Sequence, residues 1–122
     1  MYNRGREGKC DHFPSFLHFF GGIAMSKKES TFQGNLIKKI KTRFPECIVL
    51  KNDPTYIQGI PDLLILNNNK WVALECKKSK SASARPNQAY YIDKMNGMSW
   101  AAFVYPENEE EVLNEIQSAL QP

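Results

Sequence analysis

Cysteine and histidine are scarce in this chain and poorly placed for metal or disulfide chemistry. Three cysteines, Cys10, Cys47 and Cys76, stand far apart, and both histidines, His12 and His18, lie near the N-terminus. With no Cys-x-x-Cys and no paired histidine, neither a disulfide framework nor a zinc site is indicated. A reducing, cytoplasmic setting is therefore expected. Long apolar runs are missing too. The stretch from Phe13 to Ala24 is interrupted by Pro14, His18 and Gly21-Gly22, too short and broken to cross a bilayer. Its aromatic content and the lack of a clean cleavage site argue against a signal peptide. No membrane partner is expected, and no internal repeat is visible.

What remains is one small domain. A chain of 122 residues, 42% of them hydrophobic, is long enough for a single core and too apolar to be disordered throughout. Residues 1–24 differ from the rest: Met1 to Asp11 is polar and rich in Gly and Arg, and Met25-Ser26-Lys27-Lys28 resembles a natural start. Residues 1–24 are expected to be a flexible upstream or non-native extension, and residues 25–122 the domain. Charge is segregated within that domain. Residues 27–85 carry twelve Lys and Arg against five acids, whereas residues 86–122 carry one Lys against six acids. The basic half is the part suited to a polyanion.

Periodicity gives the element order. Phe32, Leu36, Ile37, Ile40 and Phe44 form one helical stripe, predicting a helix from Ser30, as N-cap, to Arg43 ahead of Pro45. Cys47 to Lys51 reads as a strand, and Asn52 to Gly59 as a loop. Two apolar runs, Leu63 to Leu66 and Trp71 to Leu74, flank Asn67-Asn68-Asn69 and read as a β-hairpin. Both faces of the first run are apolar, predicting a central strand covered on two sides. Pro86 opens a second helix that Gly97 ends. Ser99 to Tyr105 is a strand, and Glu107 to Leu120 a last helix with Val112, Leu113, Ile116 and Leu120 inward. The order is αβββαβα: an α/β fold with a mixed central sheet of about four strands flanked by helices.

The chemistry gathers on the hairpin. Gly59-Ile60-Pro61-Asp62 opens it and Glu75-Cys76-Lys77 closes it. With a turn centred on Asn68-Asn69, residues whose numbers sum to 137 stand opposite one another, and Asp62 and Glu75 are such a pair. Alternation along the strand puts Lys77 on the face of Glu75 and points Cys76 the other way, into the core. Two carboxylates this close repel each other unless a proton or a cation intervenes. Oxygen donors suit Mg²⁺, Mn²⁺ or Ca²⁺, and a lysine beside them can orient water or stabilise developing negative charge. Metal-assisted hydrolysis of nucleic acid fits this set.

Pro61-Asp62 followed by Glu75-Cys76-Lys77 resembles the signature of the PD-(D/E)XK nuclease superfamily. Within it, the Gly-x-Pro-Asp form, the short chain and Gln88 on the next helix are most similar to the VRR-NUC group, over roughly residues 29–105. The resemblance implies a restriction-endonuclease-like core and a site in which Asp62 and Glu75 bind Mg²⁺ or Mn²⁺, the Cys76 backbone carbonyl is a further ligand, and Lys77 is catalytic. It also implies that Gln88 lies near the metal, and that Glu29, on the first helix, either joins the metal or only favours the helix N-terminus. The group includes small phage and bacterial nucleases, some acting on branched DNA such as Holliday junctions. The expected activity is thus a DNA endonuclease, the expected partner DNA, and the expected assembly a homodimer that cuts two strands. The alternative is a non-catalytic nucleic-acid-binding module on the same fold.

Further candidates are weaker. Gln33, one turn beyond Glu29, is a weaker candidate for the same cleft, and Tyr91 is expected to pack. Lys78, Lys80 and Arg85, in the Ser/Ala-rich loop beside Lys77, are expected to contact phosphates. Lys51, at a strand end, either joins them or is simply solvated. Lys38, Lys39, Lys41 and Arg43 on the first helix serve phosphate or solvent equally well.

Overall fold

The computed structural model describes residues 25–121. The expectation for residues 1–24, with Cys10, His12 and His18, lies outside the described residues. The order is α1 (Lys27–Arg43), β1 (Ile48–Lys51), β2 (Leu63–Asn67), β3 (Lys70–Cys76), α2 (Pro86–Met98), β4 (Ala101–Val104), a 3₁₀ turn (Pro106–Asn108) and α3 (Glu109–Leu120). The strands form one mixed sheet in the order β1-β2-β3-β4. β1 and β3 each pair antiparallel with β2, and β4 lies parallel to β3 after the α2 crossover. The α/β class and the expected order hold.

The hairpin register is set by its turn. Asn67 pairs with Lys70, leaving Asn68-Asn69 as the loop, and Asn68 takes φ 57°, a left-handed conformation that asparagine tolerates better than most residues. From there the pairing runs to Leu63 opposite Leu74.

One face of the sheet holds the core. Leu63, Ile65, Val72, Leu74 and Val104 are fully buried against Leu36 and Ile40 of α1 and Val112, Leu113, Ile116 and Leu120 of α3. Each such side chain contributes about 1.5–3 kcal/mol by leaving water. The other face differs from expectation. Leu64 and Leu66 are only half-buried, because α2 packs over β3 and β4 and leaves β1 and β2 open. Ile48 and Leu50 on that side are 56% and 42% exposed. No residue of α2 is fully buried.

Two helix boundaries move. α1 starts one turn before the expected cap: the Ser26 hydroxyl accepts the Glu29 N–H at 3.0 Å, and the Ser26 carbonyl accepts the Ser30 N–H. Ser26 and Ser30 are equally good caps, and the earlier one adds a turn of backbone hydrogen bonds. Gly97 does not end α2. The helix runs to Met98, where the Ser99 N–H reaches the Met95 carbonyl and the Asn96 side chain takes the Ala101 N–H at 3.0 Å. Side-chain bonds into the next strand thus do the stopping assigned to glycine.

Two of the four cations near the end of α1 are taken by α3. Lys39 pairs with Glu109 at 3.0 Å and Arg43 with Glu110 at 3.1 Å; Arg43 also donates to Asn114. These cations tie two helices together on the far side of the core. No helix among the described residues is long and apolar enough to cross a membrane.

Candidate active site

The hairpin delivers its two acids as the register requires. One step beyond the Leu63–Leu74 pair, Asp62 and Glu75 face each other, and each carboxylate is bound by the opposite strand. The Asp62 N–H donates to Glu75 Oε1 at 3.2 Å, and the Cys76 N–H donates to Asp62 Oδ2 at 2.9 Å. Both side chains are thereby aimed by rigid backbone rather than by solvent.

Lys77 follows directly. Its N–H donates to the Val104 carbonyl at 2.8 Å, which extends the β3–β4 ladder past the end of β3 and fixes the lysine's origin. Its Nζ lies 3.9 Å from Glu75 Oε2 and 6.0 Å from the centre of the Phe103 ring, and it donates to Gln88 Oε1 at 2.6 Å. Gln88 is the hub. Its Nε2 donates to Glu75 Oε2 at 2.9 Å, and its Oε1 also accepts the Arg85 N–H at 3.0 Å, a capping contact at the start of α2. The same carboxamide therefore begins the helix and joins the acid to the lysine. Glu75 and Lys77 are only 3% and 8% exposed.

Such burial is unfavourable for charge. Desolvation pushes Glu75 up to about 8, the Asp62 charge adding to it and Lys77 opposing it. Asp62 is pushed up to about 6, again by burial first, with the Cys76 N–H opposing it and Glu29 adding to it. The two titrate as a pair, and without a cation burial favours a proton on it.

Glu29 belongs to the same electrostatic neighbourhood. Its carboxyl is raised by burial and drawn back down by Lys77, Lys78 and Arg85. Among the described residues, however, no three His, Cys, Asp or Glu side chains are gathered closely enough to hold a metal ion. Two carboxylates remain, the number with which Mg²⁺ binds while keeping waters. The raised acids, their fixed geometry and their all-oxygen donors fit such an ion, and the Cys76 carbonyl follows Glu75 directly in sequence.

The remaining candidates divide. Cys76 is fully buried in the core, its thiol pushed far up by burial and then by Asp62. Gln33 is buried too and its side chain neighbours that thiol, so it serves the core beneath the site and not the cleft. Tyr91 packs edge-on to Tyr90, with ring centres 5.0 Å apart. Lys51, Lys78, Lys80 and Arg85 are all exposed. The charge of Lys51 reaches Asp62, and the Lys80 N–H is held by Glu107 at 3.2 Å.

No family model and no curated protein matches this sequence. Solved structures do match the fold. A "VRR_NUC domain protein" superposes with a TM-score of 0.58 at 16% identity, covering 79% of this chain and 90% of that one. A "VRR_NUC domain" superposes with a TM-score of 0.55 at 23% identity, covering 73% and 97%. The chain has the VRR_NUC fold. Identities this low carry the architecture alone, so the chemistry of this VRR_NUC-like domain rests on the side chains above.

Sequence reasoning missed Asn52. It lies one step past the Lys51–Leu63 pair, hence opposite Asp62, and extending the β1–β2 register by one residue would have found it.

Proposed function

We propose that this chain is a divalent-metal-dependent DNA endonuclease that hydrolyses phosphodiester bonds with Mg²⁺ or Mn²⁺. The observation that carries this reading is the pair of opposed, backbone-bound carboxylates Asp62 and Glu75, linked by Gln88 to the buried ammonium of Lys77. Asp62, Glu75 and the Cys76 carbonyl would hold the metal, with Glu29 a further candidate. When bound, the metal polarises the phosphodiester and acidifies a bound water.

The protein's own groups do the rest. Asp62 and Glu75 would hold the ion in their ionised forms. Gln88 keeps the Lys77 Nζ beside Glu75, where the ammonium orients the attacking water and offsets charge growing on the phosphate. Lys51, Lys78, Lys80 and Arg85 contact flanking phosphates and make binding salt-sensitive. Branched DNA is the proposed substrate and a homodimer the proposed assembly, since two sites can cut both strands of a junction.

The test is cleavage of labelled four-way junction, flap and linear duplex DNA in Mg²⁺ or Mn²⁺, with Lys77→Ala beside the wild type. Metal-dependent cutting is expected, strongest on branched DNA and reduced about a hundredfold or more in the variant. Tight, salt-sensitive binding with no cutting by either protein would replace the nuclease with a binding module.

A further inference from the structure

The peptide between Pro61 and Asp62 is held at both of its polar atoms. Its carbonyl oxygen accepts from Asn52 Nδ2 at 2.7 Å, and its N–H donates to Glu75 Oε1 at 3.2 Å. The Asn52 N–H donates in turn to the Asp62 carbonyl at 2.9 Å. Asn52 therefore grips the backbone on both sides of the Asp62 Cα, from just beyond the end of β1. The loop between them is closed a second time at Gly59. This residue has φ 89°, and a side chain there would meet Asn87, beside Gln88, at 2.7–2.8 Å.

We propose that Asn52 is a positioning residue for the two carboxylates. Its carboxamide fixes the plane of the Pro61–Asp62 peptide, and a donor on that carbonyl strengthens the N–H on the other side through the polarised amide. The chain of contacts runs Asn52, peptide, Glu75 Oε1, while the same peptide carries the Asp62 side chain. Asn52 touches neither metal nor substrate. It acts as groups behind metal ligands generally do, by restricting where the ligand oxygens can go. The loop makes this necessary: ten residues separate Lys51 from Asp62, and Pro61 has no N–H with which to join the ladder.

The proposal rests on the metal-dependent nuclease reading, and the experiment separates the two. Mn²⁺ affinity of the full chain without DNA, the Mn²⁺ concentration for half-maximal cleavage, and the melting temperature are measured for three proteins. These are wild type, Asn52→Leu, which has similar volume but no donor, and Leu66→Ala, a substitution on β2 away from the site. Asn52→Ala replaces the leucine variant should that one not fold. The expected result is a Mn²⁺ requirement raised about tenfold in the Asn52 variant, with cutting largely recovered at saturating metal. Leu66→Ala should keep the wild-type requirement despite a lower melting temperature. Equal Mn²⁺ requirements in all three proteins would overturn the role of Asn52 and leave the nuclease standing. A wild type that neither binds Mn²⁺ nor cuts would overturn both.

Discussion

Against α1 and α3 the sheet presents Leu63, Ile65, Val72, Leu74 and Val104, none with exposed surface. Against α2 it presents Asp62, Glu75, Lys77 and Phe103, beneath a helix with no fully buried residue. The first face gains from every atom it removes from water. The second places a buried lysine beside Asp62 and Glu75, two acids whose charged forms burial disfavours. Such an arrangement is stable only while the core side supplies the difference, and it marks where the molecule is organised for chemistry rather than for packing. The open β1–β2 part of that face shows the same division, since apolar side chains are left half-exposed where no helix covers them.

Substitutions can break this contrast from either side, and the largest effect on stability is expected from the core. Leu36→Ala on α1 should cost about 2–5 kcal/mol, measured by urea unfolding, and should leave the metal requirement of the remaining folded protein unchanged. A cost below about 1 kcal/mol would mean that the core face does not dominate stability.

On the site face the expected sign is opposite. Burial raises the Asp62–Glu75 pair in the folded state, to about 6 and about 8, whereas the unfolded chain releases those protons near pH 4. Across that window the folded state binds more protons, so the metal-free protein should lose stability as pH rises from about 4 to 8. Asp62→Asn removes one of the repelling charges. Its metal-free melting temperature should exceed that of the wild type at pH 8 by a few °C, and the gap should shrink toward pH 5. A variant less stable than wild type at pH 8 would contradict the electrostatic account.

The smallest effect belongs to the surface. Lys39→Ala removes a half-exposed ion pair with Glu109 and should cost about 1 kcal/mol or less. It should also leave the salt dependence of DNA binding unchanged, because this cation faces α3. A shallower salt slope would return the α1 cations to the DNA interface.

The hairpin was the most legible part of the sequence. Its turn residues and its two apolar runs fix a register, and register alone brings Asp62 to Glu75. The inward residues of α3 follow from helical period in the same way. Other features depend on neighbours that periodicity does not see. An apolar run such as Leu63 to Leu66 reads alike whether its second face is covered or half open, and here only the position of α2 decides. Lys39 and Arg43 of α1 look available until α3 is placed beside them. Asn52 looked like loop chemistry, and only the β1–β2 pairing shows that its carboxamide reaches the Pro61 carbonyl. Gln88 is a shared case: its place near the site follows from the resemblance, and its double grip on Glu75 and Lys77 from the structure.

The most direct measurement is cleavage of branched DNA by wild type and Asp62→Asn, each in Mg²⁺ or Mn²⁺ and in EDTA. The account predicts cutting by the wild type only with metal and none above background by the folded variant. Metal-independent cutting by the wild type, or undiminished cutting by Asp62→Asn, would contradict it.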